Sequence, residues 1–117
     1  MTGYTRSGKT TVAPEVLINI ARMAALEVAG VKHMAPVPGG VNRLFRRGAS
    51  DGVQLEVADG VVTVDLYVVL DHDVNIRDTS RIIQLQVARS ISEMMGMEVG
   101  SINIHIEDIS YEGKNEA

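Results

Sequence analysis

The chain has 117 residues, 45% apolar and 22% charged, with a formal net charge of −4. That length suits one domain, and the apolar share supports a core and argues against wholesale disorder. The absence of cysteine excludes disulfides, thiolate metal sites and a cysteine nucleophile, while one Phe, three Tyr and no Trp leave few platforms for stacking bases.

No apolar run reaches membrane-spanning length, and Met1-Thr2-Gly3-Tyr4-Thr5-Arg6 is not a signal peptide. The sequence therefore reads as cytoplasmic, with any membrane association made through a partner. Charge is segregated along it: residues 1–50 carry net +5 and residues 51–117 net −9. A basic front on an acidic body is expected to steer a partner or to favour self-association.

Residues 1–7 are polar and read as a flexible N-terminus, residues 8–110 as a single domain and residues 111–117 as a flexible tail. Gly8 to Val12 is compatible with a short edge strand. Pro14 suits the first turn of a helix, and Glu15 there complements the helix dipole. From Val16 to Val28, the residues Leu17, Ile20, Ala21, Ala24 and Val28 recur on one helical face, and Gly30 is the expected stop. Val31 to Val37 reads as another short strand, broken by Pro36-Val37-Pro38-Gly39-Gly40. Val41 to Arg47 suits one or two helical turns, with Val41, Leu44 and Phe45 inward and the arginines outward.

Gly52 to Val57 alternates at period two, and Asp59-Gly60 is the pair a two-residue hairpin turn requires. Val61 to Leu70 follows as a long strand with both faces partly apolar, as befits a central strand. Asn75 is a good N-cap for a helix running to Met95, with Asp78 three residues on. Ile76, Thr79, Ile83, Val87, Ile91 and Met94 mark its inner face, and Gly96 ends it. Met94, Met95 and Met97 read as core filling. Ser101 to Asp108 closes the unit, with Ile102, Ile104 and Ile106 on one face and Asn103, His105 and Glu107 on the other. The economical architecture is α+β: a two-layer sandwich with two helices on one face of a three- to five-stranded mixed sheet.

Gly3-Tyr4-Thr5-Arg6-Ser7-Gly8-Lys9-Thr10 satisfies the letters of a phosphate-binding loop, and Val68-Val69-Leu70-Asp71 resembles its acidic partner motif. The context opposes it. Only two residues precede Gly3, so no buried strand delivers the loop. Thr10-Thr11-Val12 and Pro14 then delay the helix whose N-terminus would meet the phosphates. His33, His72 and His105 are widely separated and read as polar surface residues, with His105 on the outer face of the last strand. His72, between Asp71 and Asp73, suits turn chemistry or a weakly held cation. None of the serines has a nucleophile-elbow context, so no enzyme signature emerges and no cofactor or metal is expected. Arg43, Arg46 and Arg47, with Lys32 nearby, are the segment best suited to hold an acidic partner, a phosphate or an anionic surface. Nucleic acid fits less well, given the negative net charge and scarce aromatics.

The ordered blocks Val12 to Val31, Gly52 to Val57, Val64 to Val69 and Met94 to Ile106 resemble the alkaline-shock-protein family, the Gls-type and YloU-type envelope stress response proteins of Gram-positive bacteria. The resemblance spans roughly residues 8–110. It implies a small non-enzymatic cytoplasmic protein of envelope stress or homeostasis. Such a protein acts by contact with a membrane-anchored relative or with itself, or regulates lipid metabolism, and the family supplies no catalytic residues to carry over. Ala13 stands where family members commonly have a polar N-cap. Two other readings remain: nucleotide binding through Lys9 and Thr10, and nucleic-acid binding through Arg43 to Arg47.

Overall fold

A hairpin turn of two residues with positive φ sets the sheet. Asp59 (φ 53°) and Gly60 (φ 80°) join β3 (Val53–Ala58) to β4 (Val61–Asp71), the mirror-image turn whose twist matches that of the strands. Ala58 pairs with Val61 and Val53 with Leu66, so Val53 and Leu55 share a face with Val62, Val64 and Leu66. The computed structural model describes residues 12–38, 49–50 and 52–111. Within them, β1 (Val31–Met34), β2 (Ala49–Ser50) and β5 (Glu98–Ser110) complete a five-stranded mixed sheet. The expectation of two helices on one face of such a sheet holds.

Strand β4 is the hub, as its two-sided apolar pattern predicts. One edge pairs along its whole length with β5, in parallel, and α2 (Ile76–Met95) is the crossover between them. The other edge is shared end to end by two antiparallel strands. β3 takes Val61 to Leu66, and β1 takes Val68 to Leu70. Tyr67 is the handover: its N–H donates to the Gly52 carbonyl and its carbonyl accepts from Ala35 N–H, both at 2.8 Å. Gly52 is buried there with φ 79°, and a Cβ would lie 2.7 Å from the Ala35 carbonyl oxygen and from Met34 Cβ. Only glycine lets the two strands meet on one edge.

The helices cover one face of β4, where Val62, Val64, Leu66, Val68 and Leu70 are all fully buried. Each contributes about 1.5–3 kcal/mol over leaving it exposed. From the helical layer come Leu17, Ile18, Ala21, Ala24 and Ala25 of α1 (Pro14–Leu26), and Thr79, Ile83, Val87 and Ile91 of α2. Three expectations are corrected. The buried face of α1 is turned toward Ile18 and Ala25, leaving Ile20 half-buried, because this helix packs against both α2 and the sheet. The helix ends at Leu26, before Gly30, whose carbonyl accepts from Asp71 N–H at 2.8 Å and helps dock β1. On α2, Ile76 and Met94 lie in the first and last turns, past the buried stripe from Thr79 to Ile91, and are 47% and 68% exposed.

The caps match the residues. Asn75 Oδ1 accepts from Asp78 N–H at 2.9 Å, and Gly96 closes α2 with φ 67°. Ala13 gives α1 no side-chain cap. β1 is shorter than Val31 to Val37, and β5 extends beyond Ser101 to Asp108 at both ends. The Gly8 to Val12 strand lies outside the described residues except for Val12, which is not in a strand. The Val41 to Arg47 turns, the N-terminal segment 1–7 and the tail beyond Tyr111 also lie outside them.

Candidate functional site

The face of the sheet away from the helices carries a polar and aromatic cluster. Period-two alternation puts Asp65 and Tyr67 of β4 on that face, and the parallel register sets Asp65 beside Asn103 and Tyr67 beside His105. His105 Nε2 lies 3.0 Å from Asp65 Oδ1, and Asn103 Nδ2 donates to the same oxygen at 3.2 Å. The His105 ring stacks on Tyr67 with centroids 4.4 Å apart and planes 11° from parallel. Asp65 thus orients a ring that the tyrosine supports from its flat side. His105 and Asp65 keep 40% and 28% of their side-chain surface open, so the cluster is accessible. Chemically it is an amphipathic platform: a flat ring pair for apolar contact, with amide, imidazole and carboxylate edges for hydrogen bonding.

Elsewhere among the described residues lie two grooves. One, of about 500 Å³, runs between α2 and β5 and is lined by Leu85, Ala88, Val99 and Ile102, with Arg81 and Gln84 above. The other, of about 620 Å³, lies between α1 and β1 and includes Arg22, His33 and Met34.

The model of the alkaline shock protein 23 family, described as having a "cell envelope-related function", matches residues 2–111. The chain belongs to this family. A relative in Bacillus subtilis, the uncharacterized protein YqhY, is 34% identical over 112 residues, covering 94% of this chain and 83% of that one. The uncharacterized protein YloU of Bacillus subtilis is 24% identical, covering 90% and 91%. Among solved structures, MamM-CTD is similar with a TM-score of 0.51 at 13% identity, covering 80% of this chain and 92% of that one, a likeness of fold alone. The family resemblance read from the sequence blocks is confirmed.

In this alkaline-shock-type domain the residues singled out from the sequence are scattered. Lys32, on β1, sits 4.0 Å from Asp71 at the end of β4. Arg43, Arg46 and Arg47 lie outside the described residues, as does the Gly3 to Thr10 match. His105 is on the outer strand face, as expected, and its partners Asp65 and Tyr67 come from a strand distant in sequence. Alternation places those two on the face away from the helices, but only the β4–β5 register brings them to His105.

His33 is exposed, with Nδ1 3.1 Å from the Met34 carbonyl. His72 packs against Tyr111 with ring centroids 5.2 Å apart. Ligand atoms of Asp71, His72 and Asp73 lie within 4.8 Å of one another. Lys32 beside Asp71 already supplies positive charge there, which weighs against a cation. Among the described residues, no helix is long and apolar enough to cross a membrane.

Proposed function

We propose that this chain is a non-enzymatic adaptor of cell-envelope homeostasis that works in the cytoplasm by protein–protein contact. Its partner is a membrane-anchored protein, of related sequence or otherwise, or a further copy of itself. The observation that carries this reading is the sheet face that no described helix covers, where Tyr67 and His105 are stacked and Asp65, itself held by Asn103, bonds His105. Rigid, half-exposed aromatic groups with polar edges are the anchors that interfaces favour. The family's envelope-related description supplies the setting. Arg43, Arg46, Arg47 and Lys32 are proposed as a second, electrostatic contact that steers an acidic partner to this face.

The experiment is affinity capture of the tagged protein from mildly solubilised cells, read by mass spectrometry. Wild type is expected to retain a small membrane protein or a related domain. A Tyr67→Ala, His105→Ala variant and an Arg43→Ala, Arg46→Ala, Arg47→Ala variant should each lose it while remaining folded by circular dichroism. Capture unchanged in either variant removes that contact from the proposal. Wild type that retains no protein overturns the adaptor reading.

A further inference from the structure

Strand β5 pairs with β4 along one edge, and among the described residues nothing pairs with its other edge. Its register shifts fall beside Val62/Thr63 and Val68/Val69, so Ser101 to Ile106 runs regularly between them, about 20 Å of strand. Among the described residues only the Ile102 carbonyl on that edge is held, by Gln84, and an edge of that length is a template for strand addition. The groove beside it is apolar at its centre, with Leu85 70% exposed.

Two arginines of α2 stand beside this edge. Gln84 and Ala88 form the helix row that faces β5, and the Gln84 amide donates to the Ile102 carbonyl at 2.9 Å. Arg77, Arg81 and Leu85, spaced four apart, form the next row outward. The ion pairs among the described residues are Lys32–Asp71 and His105–Asp65, so neither arginine makes a close ion pair with a described carboxylate. Arg77 also lies in the first turn of α2, where the helix dipole adds positive potential.

The spacing has a match. A row of helix residues four apart advances about 6 Å per step. Same-face residues of a strand, two apart, advance about 6.6 Å. A strand laid on the β5 edge thus meets Leu85, Arg81 and Arg77 in turn with successive side chains of one face. We infer that the groove between α2 and the outer edge of β5 takes an extended segment of a partner protein, which adds a strand to the sheet and presents an aliphatic residue followed, at two-residue steps, by two acidic ones. A second copy of this chain fits worse, because symmetric β5 pairing would set the arginine row of one α2 beside that of the other. The inference rests on the adaptor reading and names a surface for it, distinct from the uncovered sheet face.

The test uses the full chain and three ten-residue threonine-rich peptides, followed by amide chemical shifts. One contains Val-Thr-Glu-Thr-Glu, one the reverse order, since strand direction is open, and one Val-Thr-Lys-Thr-Lys. At least one glutamate peptide should bind saturably and shift Leu85 and the β5 amides from Val99 to Ile106. The lysine peptide should bind at least about ten-fold more weakly, since like charges are then opposed. Arg81→Glu with Leu85→Asp, both at the surface, should abolish the shifts without unfolding the protein. Absent shifts at millimolar peptide, equal binding of acidic and basic peptides, or shifts confined to Tyr67 and His105 would each overturn the inference. Affinity capture separates the two proposals: a partner retained equally by wild type and by the Arg81→Glu, Leu85→Asp variant leaves the adaptor standing and removes the groove, while wild type that retains none removes the adaptor.

Discussion

Tyr67 and His105 sit side by side on neighbouring parallel strands, their rings 4.4 Å apart and nearly parallel. The stack depends on the strand register, with Asp65 holding the imidazole in place. A slip of β5 by one residue would turn His105 into the helical layer and bring an isoleucine to the open face. If the ring pair is a built contact, Tyr67→Ala and His105→Ala should be non-additive in a double-mutant cycle. A coupling of about 0.5–1 kcal/mol by chemical denaturation is expected. Strict additivity would mean that the rings merely lie next to each other.

Gly52 and Gly60 have almost the same φ, 79° and 80°, but different surroundings. A Cβ on Gly60 meets nothing within 4 Å, whereas one on Gly52 strikes backbone and side chain at 2.7 Å. Gly60→Ala should therefore cost only the backbone strain, about 1 kcal/mol. Gly52→Ala should cost at least about 2 kcal/mol, since it also parts β1 from β3. Urea unfolding of the two variants compares them directly, and equal losses would refute the crowded junction.

The two helices differ at their starts. Asn75→Ala removes the one side-chain acceptor at the head of α2 and should lower stability by about 1 kcal/mol. Ala13 has the extended backbone of an N-cap, φ −65° and ψ 139°, but no acceptor. Ala13→Asp should raise stability by about 0.5–1 kcal/mol, adding a cap and a favourable charge near the dipole. Thermal unfolding checks both signs.

Neighbouring isoleucines of α2 should respond unequally. Ile83 is fully buried and Ile82 is 50% exposed. Ile83→Ala should cost about 2–5 kcal/mol through lost burial and a cavity. Ile82→Ala should cost less than about 1 kcal/mol, being a surface change. Similar losses would place both residues inside the core.

Much of the fold is legible from local pattern. Asp59-Gly60 can only join two strands tightly, Asn75 and Gly96 bracket a helix, and the even-numbered residues of Val62 to Leu70 all enter the core. The ends of elements are less legible. Ile76 and Met94 fit the inner stripe of α2 by periodicity, but they stand in its first and last turns, past the buried Thr79, Ile83, Val87 and Ile91, and both reach solvent. Gly30 looks like a helix stop, but α1 has already ended at Leu26, and Gly30 serves the approach of β1 to β4.

Composition, periodicity and turn chemistry were enough to determine an aliphatic α+β sandwich with β4 at its centre, and the ordered blocks carried the family. These are local properties, set by side-chain spacing and by backbone preferences within a few residues. The sharing of one edge of β4 by β1 and β3, the meeting of Asp65 and Tyr67 with Asn103 and His105, and the groove of Leu85 and Arg81 beside the outer edge of β5 were decided only by the tertiary structure. Each depends on strand register or on a crossover between residues far apart in the chain, and pairing at that distance is fixed by how the whole core closes.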